Sequence, residues 1–304
     1  KKLIKLTSNK VFYDELNDSP NYPNSYGLAG WTTNDTSIVI YDRYDIWEFN
    51  PENGQSRKLT NGRDGKIVFR YAKMDSEERF IPTDKDWLLT NFNESNKYSG
   101  YYKLNFKSLK GEQLMMEPYS YSTPVKARES EKVIFTRESF IEFPNILYSD
   151  LNFKKHIVIS NANPQQSEYN WGTAELINWT SLDGVELTGM LIKPENFDPN
   201  KKYPLLVNFY EKSSDDLNDY KEPSYGRSSI NYSFYASRGY IIFNPDVHYR
   251  IGYPGESAYN CVIPGVTSLI EKGFIDKDNI GVQGHSWWGY QIAYLVTKTD
   301  IFKA

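Results

Sequence analysis

Cysteine occurs once in these 304 residues, at Cys261, and histidine three times, at His156, His248 and His285. A lone cysteine excludes an internal disulfide and a cysteine metal cluster, and its expected role is that of a small buried hydrophobe. No two of the histidines have ligand spacing, so neither a metal nor any other cofactor is expected. No apolar run approaches the roughly 18 residues that a membrane-spanning helix needs. The opening Lys1-Lys2-Leu3-Ile4-Lys5 leads into no signal-peptide core or cleavage site, and the compartment stays open. An excess of positive charge is missing too. Thirty-five Lys and Arg against 39 Asp and Glu give a net charge of −4, and the lysines fall in scattered pairs such as Lys154-Lys155 and Lys201-Lys202. Nucleic acid is therefore not an expected partner.

What is present is enough apolar material, 39% of residues, to bury the cores of two domains. The first half carries an imperfect repeat. Asp45 to Gly54 followed by Arg57-Lys58-Leu59-Thr60 reads as strand, turn and strand. Gly100 to Gly111 with Gln113-Leu114-Met115 repeats the scheme, as does Asn145 to Lys155 with His156-Ile157-Val158-Ile159-Ser160. The starts lie 55 and 45 residues apart. Each hairpin follows another apolar strand, at Ser37–Tyr41, Trp87–Thr90 and Val133–Thr136. About four strands per period of this length is the signature of β-propeller blades. Lys5-Leu6-Thr7 echoes Lys58-Leu59-Thr60 and reads as the tail of a preceding blade. About three blades cannot close a ring, so the expectation is a partial propeller over residues 1–165, the competing reading being an ordinary antiparallel sheet with look-alike hairpins.

Past the polar, turn-rich Asn161–Ser167 the pattern becomes that of an α/β domain, expected over residues 166–304. A hairpin joins Ala174–Thr180 to Glu186–Lys193 around Asp183-Gly184. Tyr203–Tyr210 and Tyr240–Asn244 are continuous apolar runs, as in strands covered on both faces. Helices are expected from Ser229 to Arg238, stopped by Gly239, and from Pro264 to Lys272, with Pro264 in the first turn and Gly273 closing the end. Ile280–Gln283 then leads through Gly284-His285-Ser286-Trp287-Trp288-Gly289 into a helix from Trp287 to Lys298. A strand that turns this sharply into a helix holds its serine in a strained backbone conformation with the hydroxyl clear of its neighbours, which is where a serine hydrolase places its nucleophile. The pattern has small residues two before and two after the serine. Gly284 fits; Trp288 does not, and its indole is expected to crowd the elbow. His285, adjacent to the serine on a tight turn, cannot reach its hydroxyl, and His248 reads as a packing or surface residue.

An antiparallel hairpin, Lys202–Tyr210, Arg238–Asp246, Gly252–Gly255, Lys272–Asp276 and Gly284–Trp287 stand in the order and spacing of the prolyl oligopeptidase family of serine peptidases. The chain resembles its dipeptidyl-peptidase-IV and acylaminoacyl-peptidase branches, loosely throughout and specifically over residues 174–304. The resemblance implies a partial propeller followed by a partial α/β-hydrolase domain with a mostly parallel sheet, truncated at both ends, and a short peptide as substrate. It implies Ser286 as nucleophile, with the Trp287 backbone N–H and the Tyr210 hydroxyl as oxyanion donors, so that Tyr210 and Ser286 face one cleft. Glu211 departs from the small residue usual after that tyrosine. The family's Asp and His follow the serine and are not among these residues, so the polypeptide alone is expected to be inactive and poorly soluble. An extracytoplasmic location fits the resemblance, and a homo-oligomer is left open. Glu77-Glu78 tempts an exopeptidase reading, since dipeptide-trimming members hold the substrate amino terminus with paired glutamates, but Asp75–Arg79 reads more simply as a charged, solvated turn. An esterase on the same scaffold and a non-catalytic binding protein remain alternatives, the latter favoured by Trp288.

Overall fold

The computed structural model describes residues 7, 10–224 and 230–304. Its contacts divide the chain into two units, one running to Asn161 and the other from Ala162 to Ala304, with Asp18–Pro20 and Ser139–Phe143 belonging to the second.

The described residues of the first unit form three antiparallel meanders in succession. The first is β1 (Leu28–Trp31), β2 (Ile38–Tyr41), β3 (Ile46–Phe49) and β4 (Ser56–Lys58). The second is β5 (Ile67–Tyr71), β6 (Asp86–Asn93), β7 (Ser99–Asn105) and β8 (Gly111–Glu117). After the short β9 (Ser120–Tyr121), the third is β10 (Val125–Lys126), β11 (Lys132–Glu138), β12 (Asn145–Asp150) and β13 (His156–Val158), with β9 pairing to the end of β11. No sheet closes on itself among the described residues. The repeat has a local cause. Asn50, Asn105 and Asp150 occupy matching positions at the start of the last hairpin of each meander. Their side-chain oxygens accept the backbone N–H two or three residues on, at Glu52, Ser108 and Asn152, which fixes the turn without help from the sheet. The echo at Lys5-Leu6 lies outside the described residues.

Alternation along the strands sends side chains to both faces. In β6, Trp87 and Leu89 pack with Val39, Tyr41 and Ile46 of the first meander. Leu88 between them points the other way and packs, with Tyr101 and Met115, against Val133, Phe135 and Leu147 of the third. The middle meander is thus covered on both faces. The third is covered on one, and its other face carries a row of exposed apolar residues in direct cross-strand register: Val125, Ile134, Tyr148 and Ile157.

The second unit is a five-stranded sheet in the order β14, β15, β17, β16, β18, where β14 is Thr173–Thr180, β15 Glu186–Lys193, β16 Tyr203–Asn208, β17 Ile241–Pro245 and β18 Ile275–Gln283. The hairpin β14–β15 is antiparallel and β15 joins β17 antiparallel, whereas β17, β16 and β18 are parallel. Among the described residues three α-helices accompany it: α1 (Tyr232–Ala236), α2 (Pro254–Glu271) and α3 (Trp287–Val296). Leu191, Leu205, Val207, Ile241 and Phe243 share a core with Ala258, Val262, Val266 and Leu269 of α2 and Leu295 of α3. Met190, Ile192 and Ile242, alternating with them, pack with Ala236 of α1 and with Phe140. Helices therefore lie on both faces of the sheet.

Two expected helices differ from those observed. α1 is shorter than Ser229–Arg238. It begins after Asn231, whose side chain caps the Phe234 N–H, and ends before Gly239, whose φ of +82° carries the chain away; Ser229 lies outside the described residues. α2 starts ten residues before Pro264, with Pro254 in its first turn, so Pro264 is interior. A proline there lacks the N–H that would bond the carbonyl four residues back, at Asn260. That carbonyl accepts the Leu182 N–H at 3.0 Å instead, so the turn of the β14–β15 hairpin satisfies the group that the proline orphans. The Asn161–Ser167 stretch, expected to be a polar, turn-rich linker, leads into a short 3-10 turn at Pro164–Glu168.

Candidate functional site

The chain leaves β16 through α1 to reach β17 on one side of it, then leaves β17 through α2 to reach β18 on the other. The winding reverses at β16. In open parallel sheets a crevice forms outside the carboxyl ends of the strands at such a point. The ends of β16 and β18 are locked in register, Asn208 opposite Gln283. The Asn208 amide donates to the Gln283 carbonyl at 3.1 Å and to its side-chain oxygen at 2.8 Å. Tyr210 lies two residues beyond this lock and Ser286 three.

Ser286 has φ 57° and ψ −118°, a combination that an L residue adopts at a cost of about 1–3 kcal/mol. It precedes α3 in the capping position, yet its hydroxyl caps nothing, and the residue is exposed. The chain bonds on either side of it, Trp288 N–H to the His285 carbonyl and Tyr290 N–H to the Ser286 carbonyl, are those of a tight turn entering a helix. The Trp287 N–H, first of the helix, has no acceptor among the described residues. Its free donor and the positive end of the helix dipole meet at the serine.

Trp288 does not unseat this turn. Its ring meets the Tyr210 ring edge to face, centroids 4.9 Å apart at 76°, so the indole occupies space over the end of β16. Two consequences follow. A Cβ added at Gly284 would come 2.3 Å from the Trp288 Cβ, which explains why that position lacks a side chain, and the indole Nε1 is buried with no hydrogen-bond partner among the described residues. Trp287 stacks on Tyr290, centroids 5.5 Å apart at 15°, and both remain partly exposed.

The loop after β17 holds the segment after β16. The Asp246 carboxylate accepts the Ser213 N–H at 2.7 Å, the Ser214 N–H at 2.9 Å and the Ser214 hydroxyl at 2.5 Å. The Val247 N–H reaches the Glu211 carbonyl at 2.7 Å, and the Tyr249 hydroxyl reaches the Tyr210 carbonyl at 2.6 Å. Burial, with the Asp18 charge adding to it, raises the Glu211 carboxyl above its ordinary value, favouring its neutral form relative to a free glutamate. Asp246, Tyr249 and Gln291 were not singled out from the sequence. Gln291 alone left a trace there: it sits at the middle of the Trp287, Gln291, Leu295 stripe of α3, a polar residue on the face that is buried.

His285 and His248 are exposed, and no histidine is hydrogen-bonded to Ser286 among the described residues. Cys261 is free and buried. Glu77 and Glu78 form the expected turn on Asp75. Glu77 is exposed, whereas Glu78 accepts the Tyr71 hydroxyl at 3.0 Å, and burial raises its carboxyl pKa. A cavity of about 580 Å³ within the second unit is walled by the stacked Trp171 and Tyr220 and includes none of Tyr210, Ser286, Trp287 or Trp288. We assign it no part in the chemistry, because no nucleophile with a free hydroxyl and donor pair faces it.

No family model matches the chain. Human dipeptidyl peptidase 8 is 30% identical over 144 residues, which is 42% of this chain and 16% of that protein. The Penicillium rubens protein named "Probable dipeptidyl-aminopeptidase B" is 26% identical over 284 residues, 83% of this chain and 29% of that protein. The solved structure of Porphyromonas gingivalis dipeptidyl peptidase 4 superposes with a TM-score of 0.65 at 16% identity, over 90% of this chain and 39% of that one; this likeness speaks to the fold. The chain thus spans less than a third of the length of these two relatives.

Proposed function

The chain belongs to the prolyl oligopeptidase family of serine peptidases, and from that premise we propose that Ser286 is the nucleophile of a peptidase that cleaves short peptides through an acyl-enzyme. The observation that carries this reading is the backbone of Ser286, strained at φ 57° between β18 and α3 with its hydroxyl uncommitted. Strain of this kind persists where the surroundings over-determine it, and here the Asn208–Gln283 lock and α3 do so.

The proposed chemistry follows from the placement of donors. Attack of Ser286 Oγ on a peptide carbonyl puts negative charge on the carbonyl oxygen, and aligned donors stabilise that charge without reorganising. The Trp287 N–H and the Tyr210 hydroxyl are assigned that role. The serine proton needs a base, and in this fold the acid and base follow the serine in chain order. We assign both to the full-length protein. Without them the oxyanion donors and binding account for at most about 10³ to 10⁴-fold over water.

Residues 1–165 are read as propeller blades and residues 166–304 as part of an α/β-hydrolase domain. Three four-stranded meanders packed face to face support the first assignment. The apolar row Val125, Ile134, Tyr148 and Ile157 is the face on which a further blade would lie. The order β14, β15, β17, β16, β18 with its reversal at β16 supports the second.

A non-catalytic binding protein is the second reading, favoured by one observation: the Trp288 indole rests on the ring whose hydroxyl is assigned to the oxyanion. Turnover of a panel of peptide anilides and of simple esters by the full-length protein separates the readings. Anilide cleavage lost in Ser286→Ala supports the peptidase, ester cleavage alone an esterase, and neither the binding protein.

A further inference from the structure

Behind the elbow runs a chain of buried polar groups to which the reading above gives no task. Gln291 is 0% exposed, on a stripe of α3 that is otherwise apolar. Its Nε2 donates to the Trp287 carbonyl at 3.3 Å. Its Oε1 lies 2.9 Å from the hydroxyl of Tyr249, and that hydroxyl lies 2.6 Å from the Tyr210 carbonyl. Tyr249 is itself buried, its backbone N–H held by the Asp18 carboxylate at 3.0 Å. Its ring faces Trp287, centroids 6.2 Å apart.

A leucine at 291 would fold at lower cost, because a buried amide has to recover its lost hydration through hydrogen bonds. What the amide does that leucine cannot is join two elements. Beyond the Asn208–Gln283 pair no ladder bond connects the end of β16 to the turn into α3. The ring contact between Tyr210 and Trp288 touches there, but an edge-to-face pair fixes a distance less tightly than a hydrogen bond does. The hydrogen-bonded chain runs from the carbonyl of one assigned oxyanion donor residue, Trp287, to the carbonyl of the other, Tyr210. Since a phenol has one proton and two acceptors stand within reach, Tyr249 shares its hydrogen bond between α3 and β16.

We propose that Tyr249 and Gln291 are positioning residues that set the separation of the Tyr210 hydroxyl from the Trp287 N–H, a proposal that rests on those two groups being the oxyanion donors. Neither touches the substrate. Their effect is on the transition state, because the oxyanion needs both donors at hydrogen-bond distance at once while the bound substrate does not.

The test uses the full-length protein with Tyr249→Phe, which keeps the ring against Trp287, with Gln291→Met, which keeps the length and burial of the side chain, and with both. For a peptide anilide, kcat is expected to fall on the order of tenfold to a hundredfold with KM changed by less than about twofold. Affinity for a peptide boronate, which presents a tetrahedral centre, is expected to fall in parallel. Because the two residues act in one chain, the double variant is expected to be no slower than the slower single variant. A 3-fluorotyrosine at position 210 gives a readout that needs no turnover: its ¹⁹F line is expected to shift in both single variants. An unchanged line overturns the proposal. So does an unchanged kcat, or a fall in melting temperature with kcat and KM moving together, which is what a merely structural role would produce. If the wild-type protein neither turns over nor labels at Ser286 while the line still shifts, the peptidase reading fails and the bridge between α3 and β16 stands.

Discussion

Replacing Gly284 by alanine probes the elbow at its tightest point. The new methyl would stand 2.3 Å from the Trp288 Cβ, 2.8 Å from the Ile292 Cδ1 and 3.3 Å from the Trp288 carbonyl carbon. The isoleucine methyl is the far end of a flexible chain and can swing away. The tryptophan Cβ is fixed to the helix backbone, so the strand end and the first turn of α3 must separate. Overpacking of this kind costs about 1–3 kcal/mol or more. A displacement of about 1 Å at Ser286 is expected to slow its reaction on the order of a hundredfold. The contribution of Trp288 is isolated by making the same change in a Trp288→Gly background, where the 2.3 Å contact no longer exists. Gly284→Ala should there cost roughly 1–2 kcal/mol less than in the parent, a coupling well above the ~0.5 kcal/mol at which independent sites add. Urea unfolding of the four full-length proteins measures the coupling, and fluorophosphonate labelling rates measure the displacement. Equal costs in the two backgrounds would refute the claim that Trp288 and Gly284 occupy one space.

Other expectations test other parts of the reading. Tyr210→Phe removes an assigned oxyanion donor while keeping the ring on Trp288; kcat for a peptide anilide should fall about 10² to 10³-fold with little change in KM, and parallel changes in both would count against the assignment. Ile134→Asp puts a charge into the exposed row of the third meander; if a further blade covers that face, the full-length protein should lose about 2 kcal/mol or more of stability, whereas a neutral effect means the face is open. Cys261 is buried, and burial pushes its thiol from an ordinary 9.0 up to about 11. Between those values the folded thiol keeps a proton that the unfolded one releases, so the group's contribution to stability is complete below pH 9 and declines as pH rises toward 11; a Cys261→Ala variant whose stability declines equally over that window would remove the effect. Iodoacetamide should leave the native thiol unmodified at pH 8 and alkylate it on unfolding.

The parts of the fold that were legible in the sequence are those set locally. The hairpins of the first unit turn on Asn50, Asn105 and Asp150, whose side chains dictate the turn from within a few residues, and Gly184, with its φ of +82°, turns the chain between β14 and β15. The elbow was legible because a strand, a glycine and a serine before a helix leave the chain few alternatives. α2 was misread because its interior proline looks like a start. What permits it is the Leu182 N–H, 78 residues away in sequence, bonding the Asn260 carbonyl, and no local pattern records that compensation. The same holds for the site. Ser286 and Trp287 announce themselves in one motif, and Tyr210 was reached through its family resemblance. Asp246, Tyr249 and Gln291 make contacts between segments 32 to 42 residues apart, which single residue types do not advertise. Trp288 broke the local pattern, and its cost is taken up by the space over Tyr210 rather than by the elbow.

The claim that Ser286 is an activated nucleophile is tested most directly by treating the full-length protein with a fluorophosphonate and locating the adduct by peptide mass spectrometry. The expected result is one phosphonyl group per chain on the peptide containing Gly284-His285-Ser286-Trp287, placed by fragmentation on Ser286 and absent from Ser286→Ala. Folded protein that takes up no label, or that labels equally well after Ser286→Ala, would contradict it.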